Sequence, residues 1–140
     1  MIKFFRATED TKFHIDFSWF DEQGQDVNVL IWKCLNDAQR ERIGDMRDGE
    51  VIDFIDPQTG EVERANGVLQ LIRNENAKDP TFISTKTPVF EAAFRIFLIN
   101  NNSPLTAKEL AARIGRKSQD VLNQIGGRVV YNGIRAIVPA

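Results

Sequence analysis

At 140 residues, 42% of them hydrophobic, the chain can bury one ordinary core, or two small cores packed together, without disulfide or metal staples. No apolar run approaches the roughly 18 residues that span a bilayer, and MIKFFRATED meets acids where a secretory signal would stay apolar. A soluble, cytoplasmic protein is expected. The single cysteine, Cys34, excludes an intramolecular disulfide, argues against a thiolate metal site and fits a reducing compartment. Net charge is −2, unevenly spread: residues 1–85 hold 10 Lys/Arg against 17 Asp/Glu, and residues 86–140 hold 8 against 3. Such asymmetry suits a C-terminal part that faces phosphate; it equally suits two parts that attract each other, or a solvated acidic surface.

In chain order, Ile2–Phe5 is a short apolar run suited to an edge strand or a docked terminus. In TKFHIDFSWF, Phe13, Ile15, Phe17 and Trp19 alternate with Lys12, His14, Asp16 and Ser18, the period-two pattern of a half-buried strand. DEQGQD breaks the chain. From Val27, apolar residues at helical spacing through Ala38 predict one helix to about Ile43, with Asp26 as N-cap and Gly44 as stop. The β-branched Val27, Val29 and Ile31 keep a strand open as an alternative there. Val51–Ile55 and Glu61–Arg64, joined by DPQTG, read as a hairpin. Asn66 and Gly67 then open a helix through Ile72 that fades in NENAKDP, and Thr81–Lys86 reads as extended.

The segment Pro88–Asn100, PVFEAAFRIFLIN, predicts a helix with Thr87 as N-cap and Pro88 at its first position. It is apolar on more than one side, so it should be buried from several directions, by the following helices and by either the N-terminal part or a second subunit. Thr106 and Glu109 form a capping-box pattern in TAKE, with Leu110, Ala111 and Ile114 facing inward and Gly115 at the left-handed stop. Ser118 can cap a second helix docked by Val121, Leu122 and Ile125, in which Asp120 suits the positive end of the dipole. Gly126 and Gly127 end it. Arg128–Tyr131 should then pair with Ile134–Val138 across Asn132-Gly133, the strongest two-residue hairpin signal.

This order of helix, helix, helix and hairpin over residues 87–139 resembles a winged helix-turn-helix domain; the pattern matches a fold and carries no family-specific signature. The resemblance implies a small double-stranded-DNA-binding protein, such as a transcriptional regulator, with Ser118–Ile125 as recognition helix. Gln119, Asn123 and Gln124 on its exposed face are types that pair with adenine, and Asp120 would accept from cytosine or serve only as a cap. Lys108, Arg113, Arg116 and Lys117 around the two helices, with Arg128 and Arg135 on the wing, would contact phosphate. Winged helices also dock proteins, so an interaction or scaffold role is the rival reading. Tyr131 should pack at the hairpin base.

Little points to an enzyme. His14 shares a strand face with Asp16, but no motif supplies a nucleophile. Cys34, on an apolar stripe, reads as core. The acids Asp45, Asp48, Glu50, Asp53, Asp56, Glu61 and Glu63 lack EF-hand spacing and suit a solvated face. Trp19, Trp32 and Phe54 read as core, and Gly126-Gly127 lacks a lysine to cradle phosphate. No cofactor or metal is expected. The expected architecture is α+β: an acidic α/β part, residues 1–85, packed on a winged helix, residues 86–140. The first part would serve dimerisation or partner contact, with a homodimer through the Pro88–Asn100 helix.

Overall fold

The computed structural model describes residues 6–43, 51–55 and 62–138, with side chains over 6–41 and 68–138. It is an α+β protein in two compact units, one formed by Met1–Gln25 with Pro80–Ala140 and the other by Asp26–Asp79. The division therefore differs from the boundary expected near residue 85. The physical reason is strand pairing, since the first strand finds its partners near the C-terminus.

That strand, β1 (Lys12–Ile15), leads through Asp16 into α1 (Phe17–Glu22). The alternation Phe13, Ile15 is kept, and both side chains are fully buried, each contributing about 1.5–3 kcal/mol. The expected continuation to Trp19 is not. Asp16 Oδ1 accepts from the Ser18 N–H at 3.1 Å and from the Ser18 hydroxyl at 2.6 Å, so the carboxylate caps a helix where the alternation would have continued a strand. Phe17 is left exposed, and Phe20 replaces it in the core, its ring 6.4 Å from that of Phe94.

In the second unit α2 (Val27–Lys33) begins at Asp26, whose Oδ1 accepts from the Asn28 N–H at 2.9 Å. The single helix expected to Ile43 is two, because α3 (Asp37–Ile43) starts anew. Asn36 and Gln39 cap reciprocally: the Gln39 N–H donates to Asn36 Oδ1 at 2.8 Å, and the Asn36 N–H donates to Gln39 Oε1 at 3.0 Å. Cys34 lies at the break, only half-buried, with Sγ donating to the Leu30 carbonyl. β2 (Val51–Ile55) and β3 (Val62–Asn66) pair antiparallel in the register Val51↔Asn66 to Ile55↔Val62. α4 (Gly67–Asn74) follows directly and packs against α2, with Ile31, Leu35, Val68 and Ile72 buried. A 3₁₀ turn, Asn76–Lys78, brings the buried Asn76 to the buried Gln39, which donates to it at 2.7 Å. The run Ile2–Phe5, Gly44, the DPQTG turn, and Asp45, Asp48, Glu50, Asp56 and Glu61 lie outside the described residues, as do the side chains of Asp53, Phe54 and Glu63.

The first unit resumes with turns over 81–87, where extended chain was expected. α5 (Val89–Ile99) has Pro88 as its cap residue; Thr87 is buried, and its hydroxyl accepts from the Ser84 N–H at 3.3 Å. Seven of the eleven residues of α5 are buried in the single chain. The helix packs against β1 and against three later elements: α6 (Ala107–Ile114), α7 (Ser118–Ile125) and β5 (Ile134–Ala136). A two-residue strand, β4 (Leu105–Thr106), precedes α6.

The sheet order is β4-β1-β5, antiparallel throughout, with Phe13 paired to both Leu105 and Ala136. Where β4 runs out, the Asn102 side chain takes its place. Its Oδ1 accepts from the Ile15 N–H at 2.8 Å and its Nδ2 donates to the Ile15 carbonyl at 2.9 Å. Among the described residues no helix is long and apolar enough to cross a membrane.

Candidate functional site

The best-defined local arrangement is α6, a three-residue turn and α7. The start of α6 is fixed as its sequence requires. The Glu109 N–H donates to Thr106 Oγ1 at 3.1 Å, and the Thr106 N–H donates to Glu109 Oε1 at 3.0 Å. Donation to the carboxylate from the Thr106 N–H first, and from the Thr106 hydroxyl, holds the Glu109 carboxyl below its ordinary range. Gly115 closes α6 at φ +85°, with its N–H on the Ala111 carbonyl at 2.9 Å. A Cβ there would stand 2.9 Å from Thr85 Cγ2, so both conformation and space call for glycine.

α7 begins at Ser118, with Lys117 as the cap residue and no side-chain cap bond, one position before the expected cap at Ser118. Val121 and Ile125 are buried against α5 and α6. Gln119, Asp120, Asn123 and Gln124 are all exposed, as the helical spacing predicts. Gln119 Nε2 donates to Asn123 Oδ1 at 2.8 Å across one turn. Gln124 also borders a shallow cleft of about 330 Å³ with Phe90, Tyr131 and Asn132, which carries the α7 face on to the next turn.

That turn keeps its predicted geometry and loses its predicted strand. Asn132 and Gly133 have φ of +55° and +71°, and the Ile134 N–H donates to the Tyr131 carbonyl at 3.1 Å. Yet Arg128–Tyr131 forms no strand. β5 pairs instead with β1, extended by Ile137 N–H to the Lys12 carbonyl and Asp16 N–H to the Gly133 carbonyl, both 2.8 Å. Tyr131 is 55% exposed while its ring meets Phe90 edge-on at 5.0 Å, so it flanks the turn and is not enclosed by it.

The six cations expected at phosphate divide into two groups. Arg116 is turned inward: Nη2 donates to the Thr85 carbonyl at 2.7 Å, and Nε is buried without a partner. Arg135 Nη1 donates to Asp16 Oδ2 at 2.9 Å, and its Nη2 lies 3.9 Å from Glu22 Oε2. The Ser18 hydroxyl, opposed by partial burial and assisted by Arg135, holds the Asp16 carboxyl below its ordinary range. Lys108 reaches Asp10 at 3.6 Å, both ends exposed, a contact that solvent makes weak. Arg113, Lys117 and Arg128 are exposed, with no salt bridge among the described residues. The pairings of Arg135 with Asp16 and of Asn102 with Ile15 join residues more than 80 positions apart, and no local signal announces them.

Asp16 therefore directs its carboxylate to Ser18 and Arg135, and His14 stands opposite Arg135 in the sheet register. Among the described residues no group of three His, Cys, Asp or Glu is placed to hold a metal ion. In comparisons with protein-family models, curated proteins and solved structures, the chain matches none.

Proposed function

We propose that the unit containing α5, α6, α7 and β5 works as a winged helix-turn-helix that binds double-stranded DNA, as a small regulator would, with α7 in the major groove. The observation that carries this reading is the outer face of α7. Its exposed residues are all polar, and Arg113, Lys117 and Arg128, before and after it in the chain, are exposed and in no salt bridge among the described residues. Charge supports it once counted by unit: Met1–Gln25 with Pro80–Ala140 carries 11 Lys/Arg against 8 Asp/Glu, whereas Asp26–Asp79 carries 7 against 12. In this reading the acidic unit stays off the phosphates and serves partner contact.

Three exposed cations set the expected electrostatics. Anisotropy titrations on a duplex should give a log K against log salt slope of about −3, and Lys117→Ala/Arg128→Ala should lower its magnitude by about 2. No binding at low salt, or a slope indifferent to these changes, would sink the reading. Arg116→Ala should instead loosen the turns it holds and lower thermal stability, with little change in slope.

A protein-docking role has one observation in its favour. Val129, Tyr131, Ile137 and Val138 are exposed around the turn, where a phosphate-binding wing would be basic. On that reading Val129→Asp/Val138→Asp would abolish partner capture and leave duplex titrations flat before and after.

A further inference from the structure

We infer that Gln119 and Asn123 form one coupled reading group, which selects adenine over guanine on the major-groove edge; the inference rests on the DNA-binding reading above. Both side chains are exposed on α7, one turn apart, and Gln119 Nε2 donates to Asn123 Oδ1 at 2.8 Å. A single bond between two carboxamides leaves one carbonyl oxygen and one amino group directed elsewhere, here Gln119 Oε1 and Asn123 Nδ2. Turning both amides over exchanges which residue supplies which, and the outward set is again one acceptor and one amino donor. The bond also limits the rotamers of two otherwise free side chains, so less freedom is lost when a base is engaged.

Adenine presents N7 as acceptor and its N6 amino group as donor, whereas guanine presents two acceptors, N7 and O6. An outward acceptor beside an outward donor meets both adenine groups, on one base or on two stacked neighbours of one strand. Set against guanine, the carbonyl faces O6 and both oxygens lose their water without gaining a hydrogen. The rest of the helix works in the same direction. The sequence SQDVLNQI contains no Arg or Lys, the side chains that match guanine. The preferred ligand is therefore duplex rich in A·T pairs, read from the major groove.

The test is competition binding by the full chain at one salt concentration, using an A·T-rich duplex, a G·C-rich duplex, and the A·T-rich duplex with 7-deazaadenine in place of adenine. The last removes N7 and leaves the minor groove and its width intact, so it separates major-groove reading from shape reading. The A·T-rich duplex should win by about 5- to 150-fold, the range of one bidentate base contact. That margin should shrink on 7-deaza substitution and in Gln119→Ala/Asn123→Ala, with the salt slope unchanged. Each single alanine variant should lose nearly as much as the double, since the remaining amide is no longer held. Because both residues are exposed, an unchanged melting temperature will show that folding is intact. Equal binding of all three duplexes, or a margin that survives in the double variant or on 7-deazaadenine, would overturn the inference and leave DNA binding standing. Failure to bind any duplex would overturn the DNA reading itself.

Discussion

Asn102 and Gly133 show how much of this fold hangs on single residues beside short strands. Asn102, at φ +56°, lends its carboxamide to both backbone groups of Ile15, which is itself buried. Asn102→Ala should leave a donor and an acceptor unmatched and cost about 1–3 kcal/mol, read as a lower denaturation midpoint at unchanged m-value. Gly133 combines φ +71° with a Cβ position 2.8 Å from Phe20 Cε2. Gly133→Ala should therefore destabilise by more than the roughly 1 kcal/mol of the left-handed conformation alone, and the added loss should shrink when Phe20 is shortened to Leu. Of these two residues the sequence announces only one. Asn132-Gly133 is a local turn signal, whereas the Asn102 contact joins positions 87 apart, and an asparagine in NNNS looks like any loop residue.

At the scale of elements, the legible signals are those whose partners lie close together in the chain. The Thr106–Glu109 box, the Gly115 stop and the spacing of α7 each depend on residues within one or two turns of each other. The same logic was available at Asn36–Gln39 but was masked by the polar run NDAQRER, which reads equally well as a continuing helix. Strand partners were not legible, because alternation says which face is buried and not which neighbour buries it. Hence β5, whose nearest partner in sequence was Arg128–Tyr131, pairs across the sheet with β1. Acid should test the capped element. Since bonding to Thr106 depresses the Glu109 carboxyl below its ordinary 4.5, the box's contribution is complete above that value and is lost as pH falls through the lower folded one. Exchange protection of the Glu109 and Thr106 amides should decline below pH 4.5 in the wild-type chain. In Glu109→Gln, which removes the titrating carboxyl, it should show no acid-dependent step.

For the whole molecule, the central position of β1 decides what is separable. Without residues 1–25, β4 and β5 have no common neighbour, and Phe13, Ile15 and Phe20 are missing from the core. A chain cut to residues 86–140, the boundary suggested by composition, should show no cooperative thermal transition. Covalently joining residues 1–25 to residues 80–140 should restore one. Cooperative melting of residues 86–140 alone would contradict the sheet order. The two-part charge pattern visible in the sequence does survive, but with its border displaced, because Asp16 and Glu22 come with β1 and sit beside Arg135.

The central strand also fixes an order of events during synthesis. β1 is made before both of its partners, and Ile134, which pairs with Ile15, is added 119 residues after it. At the usual rate of about 5–20 residues per second, the nascent chain carries β1 without its β5 neighbour for roughly 6–24 s. The contiguous Asp26–Asp79 unit has all its residues in hand well before then. For this protein, the interval in which a chaperone has most to protect falls between translation of the first strand and of the last.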